Sequence, residues 1–226
     1  MSWIVPDWNA PANVVAISTT RDGERDERAR LAALFGADPV QLRQVHGTSV
    51  VTIDAHDRDD LHAHPPQADA AVTRTPGIAI AVRAADCLPV LLADRRGSVV
   101  AAAHAGWRGL AAGVLEATLG AMGVDAHEIV AWIGPAIGPR RFEVGRDVYD
   151  AYVGLEDSDA VCFVPHREDK WLADLPGLAR RRLARAGVHG VAGGTWCTVE
   201  DPARFHSWRR DRTHGRMLTA IAIAPG

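Results

Sequence analysis

The stretch CLPVLLADRRGSVVAAAH, residues 87–104, contains two apolar runs separated by a polar segment. Residues 88–92 and 99–103 have the length and the aliphatic content of buried strands. The polar residues 94–97, Asp-Arg-Arg-Gly, are typical of a tight turn, because aspartate and glycine favour turn conformations. The stretch therefore predicts an antiparallel hairpin at the centre of the fold.

A hairpin centred between Arg95 and Arg96 would pair Cys87 with His104, at one end of a sheet and about 5 Å apart at their Cα atoms. A thiol beside an imidazole can provide two ligands of a metal ion, or a nucleophile and its base. A structural cysteine beside a hydrogen-bonded histidine is an alternative that these two residues leave open. His46, between short apolar segments, is a third candidate ligand or another structural histidine.

The residues that flank the pair suggest further chemistry. Asp86 directly precedes the cysteine, where an unpaired acid in apolar surroundings would be costly. After the histidine, the glycine-rich turn AGWRG opens a predicted helix at about Gly109 and offers free backbone N–H groups. Arg108 in this turn carries a guanidinium suited to phosphate. The alternatives are that Asp86 ties down a turn and that Arg108 is an ordinary surface residue.

The rest of the chain mixes strands and helices without the regular alternation of a doubly wound fold. Predicted strands lie at 14–18, 50–53, 78–82, 129–133, 188–191 and 217–223, and predicted helices at 21–34, 110–122, 146–152 and 172–186. We therefore expect an α+β protein in which residues 1–226 form a single catalytic domain. Residues 54–66 are expected to form a solvated loop, with a metal-binding tract at His56, His62 and His64 as the alternative.

Composition excludes several classes of function. The 226 residues include 25 basic and 28 acidic side chains, a net charge of −3. This balance provides no field for binding nucleic acid or an anionic membrane. No apolar run reaches the roughly 18 residues of a membrane span, and the first residues lack a secretion-signal pattern. Three cysteines, an odd number, suit a reducing compartment, so we expect a cytoplasmic protein.

Several motifs together resemble one known family. QVHG at 44–47, ADCLPVLL at 85–92 and AHAGWRG at 103–109 are similar to its motifs, as are IGPAIGP at 133–139 and FEVG at 142–145. CT at 197–198, SWRRD at 207–211 and GR at 215–216 resemble its C-terminal motifs. The family is known variously as laccase-like polyphenol oxidoreductase, purine nucleoside phosphorylase and peptidoglycan editing factor. The resemblance covers about residues 40–223.

The resemblance implies a sandwich of mixed β-sheets flanked by helices and a zinc ion bound by His46, Cys87 and His104. It also implies phosphorolysis of adenosine, inosine, guanosine and methylthioadenosine to base and sugar 1-phosphate, together with adenosine deamination. Nucleoside and phosphate are then the partners, and the oligomeric state is left open. Three protein ligands would leave zinc an open position for water or phosphate.

Within that chemistry, each flanking residue has a candidate role. We expect Arg108 to neutralise phosphate charge, Asp86 to shuttle a proton and Gln44 to orient a reacting group. The chain departs from the family in its shortened N-terminal segment, which could change the substrate pocket. It also has Phe142 where the family has tyrosine, so any hydroxyl contact there is lost.

Three other functions remain as alternatives. The first is an amide hydrolase that edits a peptidoglycan precursor, with the same zinc or with Cys87 as nucleophile. The second is a copper polyphenol oxidase, which a single histidine pair at His62 and His64 supports poorly. The third is a non-catalytic regulatory protein.

Overall fold

The computed structural model describes residues 3–21, 27–55, 61 and 63–225. The strands are β1 (Trp3–Ile4), β2 (Val14–Thr19), β3 (Val50–Thr52), β4 (Ala70–Thr73), β5 (Ala79–Ala84), β6 (Leu88–Asp94), β7 (Val100–Ala105), β8 (Ile129–Ile133), β9 (Glu143–Val144), β10 (Phe163–Arg167), β11 (Lys170–Ala173), β12 (Gly190–Gly193) and β13 (Met217–Ile223). The α-helices are α1 (Glu27–Phe35), α2 (Trp107–Ala112), α3 (Val114–Met122), α4 (Arg146–Val153), α5 (Leu175–Arg185) and α6 (Trp208–Asp211).

The strands form three sheets. A mixed six-stranded sheet has the order β12-β8-β6-β7-β4-β3, in which β12 pairs with β8 and β3 with β4 in parallel. An antiparallel four-stranded sheet has the order β1-β2-β13-β5, and a small sheet has the order β10-β11-β9. This mixture of sheets with helices around them confirms the predicted α+β class.

The two larger sheets pack face to face, with β6 and β7 in the middle of the six-stranded sheet. On β6, Leu91 belongs to the core cluster between the sheets, together with Ile80 of β5 and Ile221 of β13. Its neighbours Val90 and Leu92 point the opposite way, into the core cluster that α3 and α5 cover. This alternation follows from the two-residue period of a strand, and it buries both faces of β6.

Helices also pack on the outer face of the four-stranded sheet and on the small sheet. On the outer face of the four-stranded sheet, Leu31 and Phe35 of α1 join a core cluster with Ile17 of β2. The small sheet packs against α4, where the Tyr149 ring stacks on Trp171 of β11 at 4.6 Å between centroids. The layers therefore run from α1 through the two large sheets to the helices α2 to α5.

The central hairpin forms, but its predicted register is wrong. Pro89 lies opposite His104, so paired residue numbers add to 193 instead of 191. The turn begins at Asp94 as predicted, with the Gly97 N–H donating to the Asp94 carbonyl at 3.0 Å. Gly97 is in the left-handed conformation (φ 66°), and the loop extends from Arg95 to Ser98, two residues more than predicted, with the Asp94 N–H donating to the Val99 carbonyl at 3.1 Å. Cys87 therefore lies just before β6 and is not paired with His104.

Two predicted helices also have different limits. The segment 110–122 is part of two helices, α2 and α3, because Gly113 at their junction is left-handed (φ 102°). The predicted helix 172–186 starts only at Leu175. Asp174 caps it by accepting the Gly177 N–H at 2.9 Å, and Pro176 occupies its first turn. The residues before this cap continue β11.

Two further sequence expectations concern the histidine-rich loop and membrane-spanning segments. His56 and His62 of the predicted loop lie outside the described residues, so the metal-tract alternative stays a prediction. No helix among the described residues is long and apolar enough to cross a membrane.

Candidate metal centre

The hairpin brings a cluster of metal-ligating side chains to one end of the six-stranded sheet. Cys87 precedes the first residue of β6, and His104 is the penultimate residue of β7. His46 comes from the loop before β3. One ligand atom from each of the three lies within 4.8 Å of the other two. Within the described part of the chain, this is the one group of three or more such residues with metal-binding spacing.

The three side chains differ in exposure but face a common point. His104 is buried, Cys87 is half-buried and His46 is exposed, so the cluster opens to solvent on one side. The Cys87 Sγ and His46 Nε2 atoms are 3.8 Å apart, and the two imidazole rings meet edge to face at 4.8 Å between centroids. His46 has a positive φ of 62°, an unfavourable conformation that the surrounding hydrogen bonds maintain.

The acceptor of those hydrogen bonds is Asp69, a residue that the sequence analysis missed. The side chain of Asp69 is fully buried directly before β4, and its carboxylate is 2.9 Å from the His104 Nδ1 atom. The same carboxylate accepts backbone N–H groups of Val45, His46 and Gly47. A carboxylate on Nδ1 leaves the Nε2 atom of His104 to face the cluster, as in many metal sites. Asp69 thus positions two of the three candidate ligands.

The electrostatics of the cluster favour a thiolate. Burial raises the pKa of the Cys87 thiol, but hydrogen bonds and positive charge from His104 and His46 lower it to about 6. For His104, burial lowers the pKa, whereas Asp69 and the Cys87 thiolate raise it to about 9. Burial raises the pKa of Asp69, but its bond to His104 and three backbone N–H groups bring it below the usual value. Metal binding requires a deprotonated cysteine and a neutral imidazole, so the lowered pKa of Cys87 favours it, whereas His104 must release the proton that its raised pKa retains.

These donors fit a transition-metal ion. Two imidazoles and one thiolate are a ligand set that zinc accepts, and bonds of about 2.0–2.3 Å allow one ion to reach all three after small side-chain adjustments. Three protein ligands leave one tetrahedral position open, as catalytic zinc sites do. The carboxylate on His104 supplies the outer support that such ligands require.

Gly106 permits the close approach of α2 to the cluster. A Cβ atom at this position would lie 2.9 Å from Cys87 Sγ and 3.0 Å from His46 Cδ2, closer than such atoms pack. Gly109 has a similar function, since a Cβ there would be 2.7 Å from the Gly47 carbonyl oxygen. The glycines of the AGWRG turn are therefore required by contacts with the loop that carries His46.

We expect Gly106→Ala to weaken metal binding roughly tenfold, because overpacking costs about 1–3 kcal/mol. The backbone of Gly106 (φ −61°, ψ 157°) suits alanine, so the effect isolates the contact with Cys87 and His46. The measurement is a competitive titration of the purified variant with a chromophoric zinc chelator. Gly120→Ala is the matched control, because Gly120 is exposed within α3 with nothing near its Cβ position. Equal affinity in both variants would contradict the packing argument.

The cluster lies in a cavity of about 540 Å³. Pockets for small ligands commonly measure about 300–1,000 Å³. The lining combines aromatic, aliphatic, acidic, amide and basic side chains: Leu42, Gln44, His46, Arg83, Ala84, Ala85, Asp86, Cys87, His104, Trp107, Ile137, Phe142, Leu175, Trp208, Arg209, His214 and Arg216. Indole and phenyl rings provide flat apolar surfaces that suit an aromatic base.

Asp86 lines this cavity and holds together segments that are distant in sequence. Its carboxylate accepts the Thr198 hydroxyl at 2.5 Å and the Arg209 backbone N–H at 2.6 Å. Its own carbonyl accepts the Ile137 N–H at 2.9 Å. A φ of 93° at Asp86 is a strained conformation for a residue with a side chain. The geometry makes Asp86 a tie between three segments of the chain, and its role as a proton shuttle stays a prediction.

The two other predicted residues lie in different environments. The Gln44 amide pairs with the backbone of Arg83, accepting its N–H and donating to its carbonyl, both at 2.8 Å. Gln44 therefore fixes the position of Arg83 at the cavity. Arg108 is exposed, and its guanidinium carbon lies 4.3 Å from the ring centroid of the neighbouring Trp107. Trp107 lines the cavity whereas Arg108 does not, so the predicted phosphate contact of Arg108 stays untested.

The C-terminal motifs SWRRD at 207–211 and GR at 215–216 had no role in the sequence-based prediction of the site. The structure places Trp208, Arg209, His214 and Arg216 on the cavity wall. An aspartate at position 69, directly before an apolar strand, was the available signal for Asp69, since buried acids require partners. Its partner His104 is 35 residues away, and only the pairing of β4 with β7 brings them together.

The layered α+β fold and the three-residue cluster can be compared with those of known proteins. The family described as multi-copper polyphenol oxidoreductase laccase matches residues 19–224, and the chain belongs to it. Purine nucleoside phosphorylase PA4543 of Pseudomonas aeruginosa is 43% identical over 243 residues, covering 97% of this chain and 98% of that protein. Purine nucleoside phosphorylase YfiH of Escherichia coli is 42% identical, with 96% and 97% covered.

A solved structure has the same fold. The crystal structure of Neisseria meningitidis protein NMB0706 matches with a TM-score of 0.92 and 41% identity, and each chain is covered completely. The similarity to proteins named purine nucleoside phosphorylase indicates an enzyme of this family.

Proposed function

We propose that this protein is a zinc-dependent purine nucleoside phosphorylase that also deaminates adenosine. Its substrates would be adenosine, inosine, guanosine and methylthioadenosine, each converted with phosphate to free base and sugar 1-phosphate. The observation that carries the proposal is the cluster of His46, Cys87 and His104 at the wall of a cavity of about 540 Å³. The names of the relatives at 43% and 42% identity support the substrate class.

Phosphorolysis requires the binding of two ligands and the transfer of one group between them. The bond from the ribose C1′ to the base nitrogen breaks, a phosphate oxygen bonds to C1′, and the base leaves with a proton. The aromatic side chains Trp107, Phe142 and Trp208 provide surfaces on which a purine can lie. Holding both substrates in one cavity converts an encounter of separate molecules into a reaction within one complex.

The chain's own residues would divide the remaining tasks. His46, Cys87 and His104 would hold the metal, and Asp69 would keep His104 in the required orientation. When bound, zinc supplies a Lewis acid that polarises an oxygen of water or phosphate. Asp86 is the one carboxylate among the described residues that line the cavity, so we assign the proton transfer to it.

Copper is less well supported than zinc as the metal. A multicopper oxidase site requires many histidines in several groups. The described residues offer one cluster, with two histidines and a cysteine and an open side toward the cavity. That set fits a single catalytic zinc.

The proposal is tested by product analysis of the purified protein with adenosine and inosine, with and without phosphate. We expect hypoxanthine from inosine only when phosphate is present, with ribose 1-phosphate in equal amount. Adenosine should also yield inosine, independently of phosphate. No turnover of either nucleoside by protein that contains zinc would contradict the proposed function.

One observation favours a second candidate, an amide hydrolase that acts on a peptidoglycan precursor. Cys87 with its lowered pKa, His104 and Asp69 form a chain of groups that resembles the nucleophile, base and orienting acid of a cysteine hydrolase. Such an enzyme would keep its activity after removal of the metal and lose it on alkylation of Cys87. The phosphorylase would lose its activity on removal of the metal.

A further inference from the structure

The cavity beside the metal cluster has an excess of positive charge. Three arginines line it, Arg83, Arg209 and Arg216, and His214 adds a fourth basic side chain. Asp86 is the only acidic side chain among the described lining residues, and hydrogen bonds from Thr198 and Arg209 occupy both of its oxygens. A concave site with this imbalance attracts and binds anions.

The three lining arginines have no carboxylate partner among the described residues. Elsewhere the chain pairs its arginines closely, for example Arg181 and Arg185 with the buried Asp159. By contrast, Arg209 donates Nη1 to the carbonyl of Glu143, and Arg216 donates Nη1 to backbone carbonyls in the preceding turn. Carbonyl groups hold the side chains in place without neutralising them.

Aromatic rings complete the support of two of these guanidinium groups. The guanidinium carbon of Arg209 lies 5.6 Å from the centroid of the Phe142 ring, and that of Arg216 lies 5.6 Å from the Trp208 ring. Such contacts position a planar cation and leave its edge free to donate hydrogen bonds. The Nε and Nη2 atoms of both arginines have no partner among the residues that the structure describes.

The backbone of each arginine is also fixed near the metal cluster. The Arg209 N–H donates to Asp86, the residue directly before the ligand Cys87. Gln44 holds the backbone of Arg83 from both sides, and Arg216 directly precedes β13. The cations are therefore preorganised, which reduces the entropic cost of binding a small ion.

We propose that Arg83, Arg209 and Arg216 form an anion subsite that binds inorganic phosphate beside the metal cluster. This assignment rests on the proposed phosphorylase function and names the residues that would hold its second substrate. It assigns the phosphate to residues other than Arg108, whose predicted phosphate contact stays untested and whose side chain lies on Trp107 outside the cavity lining. A tetrahedral dianion can accept the paired N–H groups of several arginines at once.

The test measures phosphate binding directly, by titration calorimetry of metal-loaded protein at constant ionic strength. We expect Arg209→Gln and Arg216→Gln each to raise the Kd for inorganic phosphate roughly tenfold or more, with unchanged metal content. Arg96→Gln is the matched control, since Arg96 is an exposed arginine in the hairpin turn at the opposite end of β6. Adenosine 5′-monophosphate is titrated as a second probe, because a nucleotide phosphate could fill the same subsite.

Each outcome separates the subsite from the proposed reaction. Wild-type Kd values in both variants, or a comparable loss in Arg108→Gln alone, would overturn the assignment. Binding of the nucleotide without binding of inorganic phosphate would also overturn it. If the wild-type protein turns over no nucleoside but binds phosphate through Arg209 and Arg216, the subsite stands and the phosphorylase proposal fails. If turnover depends on phosphate but neither substitution changes the Kd for phosphate, the phosphorylase proposal stands and the subsite assignment fails.

Discussion

Cys87→Ala is expected to abolish stoichiometric metal binding and to reduce phosphorolysis at least a hundredfold, with the fold preserved. The thiolate is one of the three candidate ligands, and even outer-shell losses at metal sites typically cost about 10–100-fold. The side chain is half-buried at the start of β6, so its removal leaves the packing of the strand intact. Elemental analysis measures the metal content, and the rate of hypoxanthine release from inosine measures phosphorolysis.

Cys197→Ala is the matched control for this substitution. Cys197 is also half-buried, but its sulfur accepts the Gly138 N–H at 3.2 Å and lies outside the metal cluster. We expect this variant to keep the metal content and rate of the wild type. Full metal content in Cys87→Ala would remove Cys87 from the site. The same reasoning applies to His46→Ala and His104→Ala.

Asp69→Asn is expected to lower metal affinity by about 10–100-fold, although Asp69 is not a ligand. The amide keeps the shape of the carboxylate but removes its charge beside His104. It also replaces one acceptor oxygen by an N–H₂ group, which cannot accept the backbone N–H groups that hold the loop at His46. The measurement is a competitive zinc titration, together with the free energy of unfolding of the metal-free protein.

The control must separate positioning of the ligands from a general loss of stability. Asp159→Asn serves this purpose, because Asp159 is a buried carboxylate that pairs with Arg181 and Arg185, away from the cluster. We expect Asp159→Asn to lower the free energy of unfolding and to leave the metal affinity of the folded chain unchanged. Metal affinity reduced equally in both variants would show that Asp69 acts through stability alone.

The local pattern of the sequence was sufficient to predict the central hairpin and its turn. Apolar runs on both sides of Asp-Arg-Arg-Gly can hardly form anything other than paired buried strands. The register was wrong by two residues on one strand, because the loop contains Arg95, Arg96, Gly97 and Ser98 where a two-residue loop was expected. Turn geometry of this kind depends on backbone angles that residue types only partly determine.

The candidate ligands could be predicted, whereas the groups that position them could not. The predicted hairpin placed Cys87 and His104 at one end of a sheet but left a structural pair open, and the ligand set with His46 followed from the family resemblance. Asp69 acts through hydrogen bonds to residues 22–35 positions away, and these partners are set by tertiary structure. Arg209 and Arg216 line the cavity because their segment folds back onto Asp86, a contact across 123 residues for Arg209.

Zinc-dependent phosphorolysis at the three-residue cluster is tested most directly by a zinc titration of metal-free protein, with the release of hypoxanthine from inosine and phosphate as the readout. We expect almost no activity without metal and a linear increase that ends at one zinc ion per chain. The same titration of Cys87→Ala should give no activity at any stoichiometric amount of zinc. Full phosphate-dependent activity in the metal-free wild-type protein would contradict the assignment of the reaction to His46, Cys87 and His104.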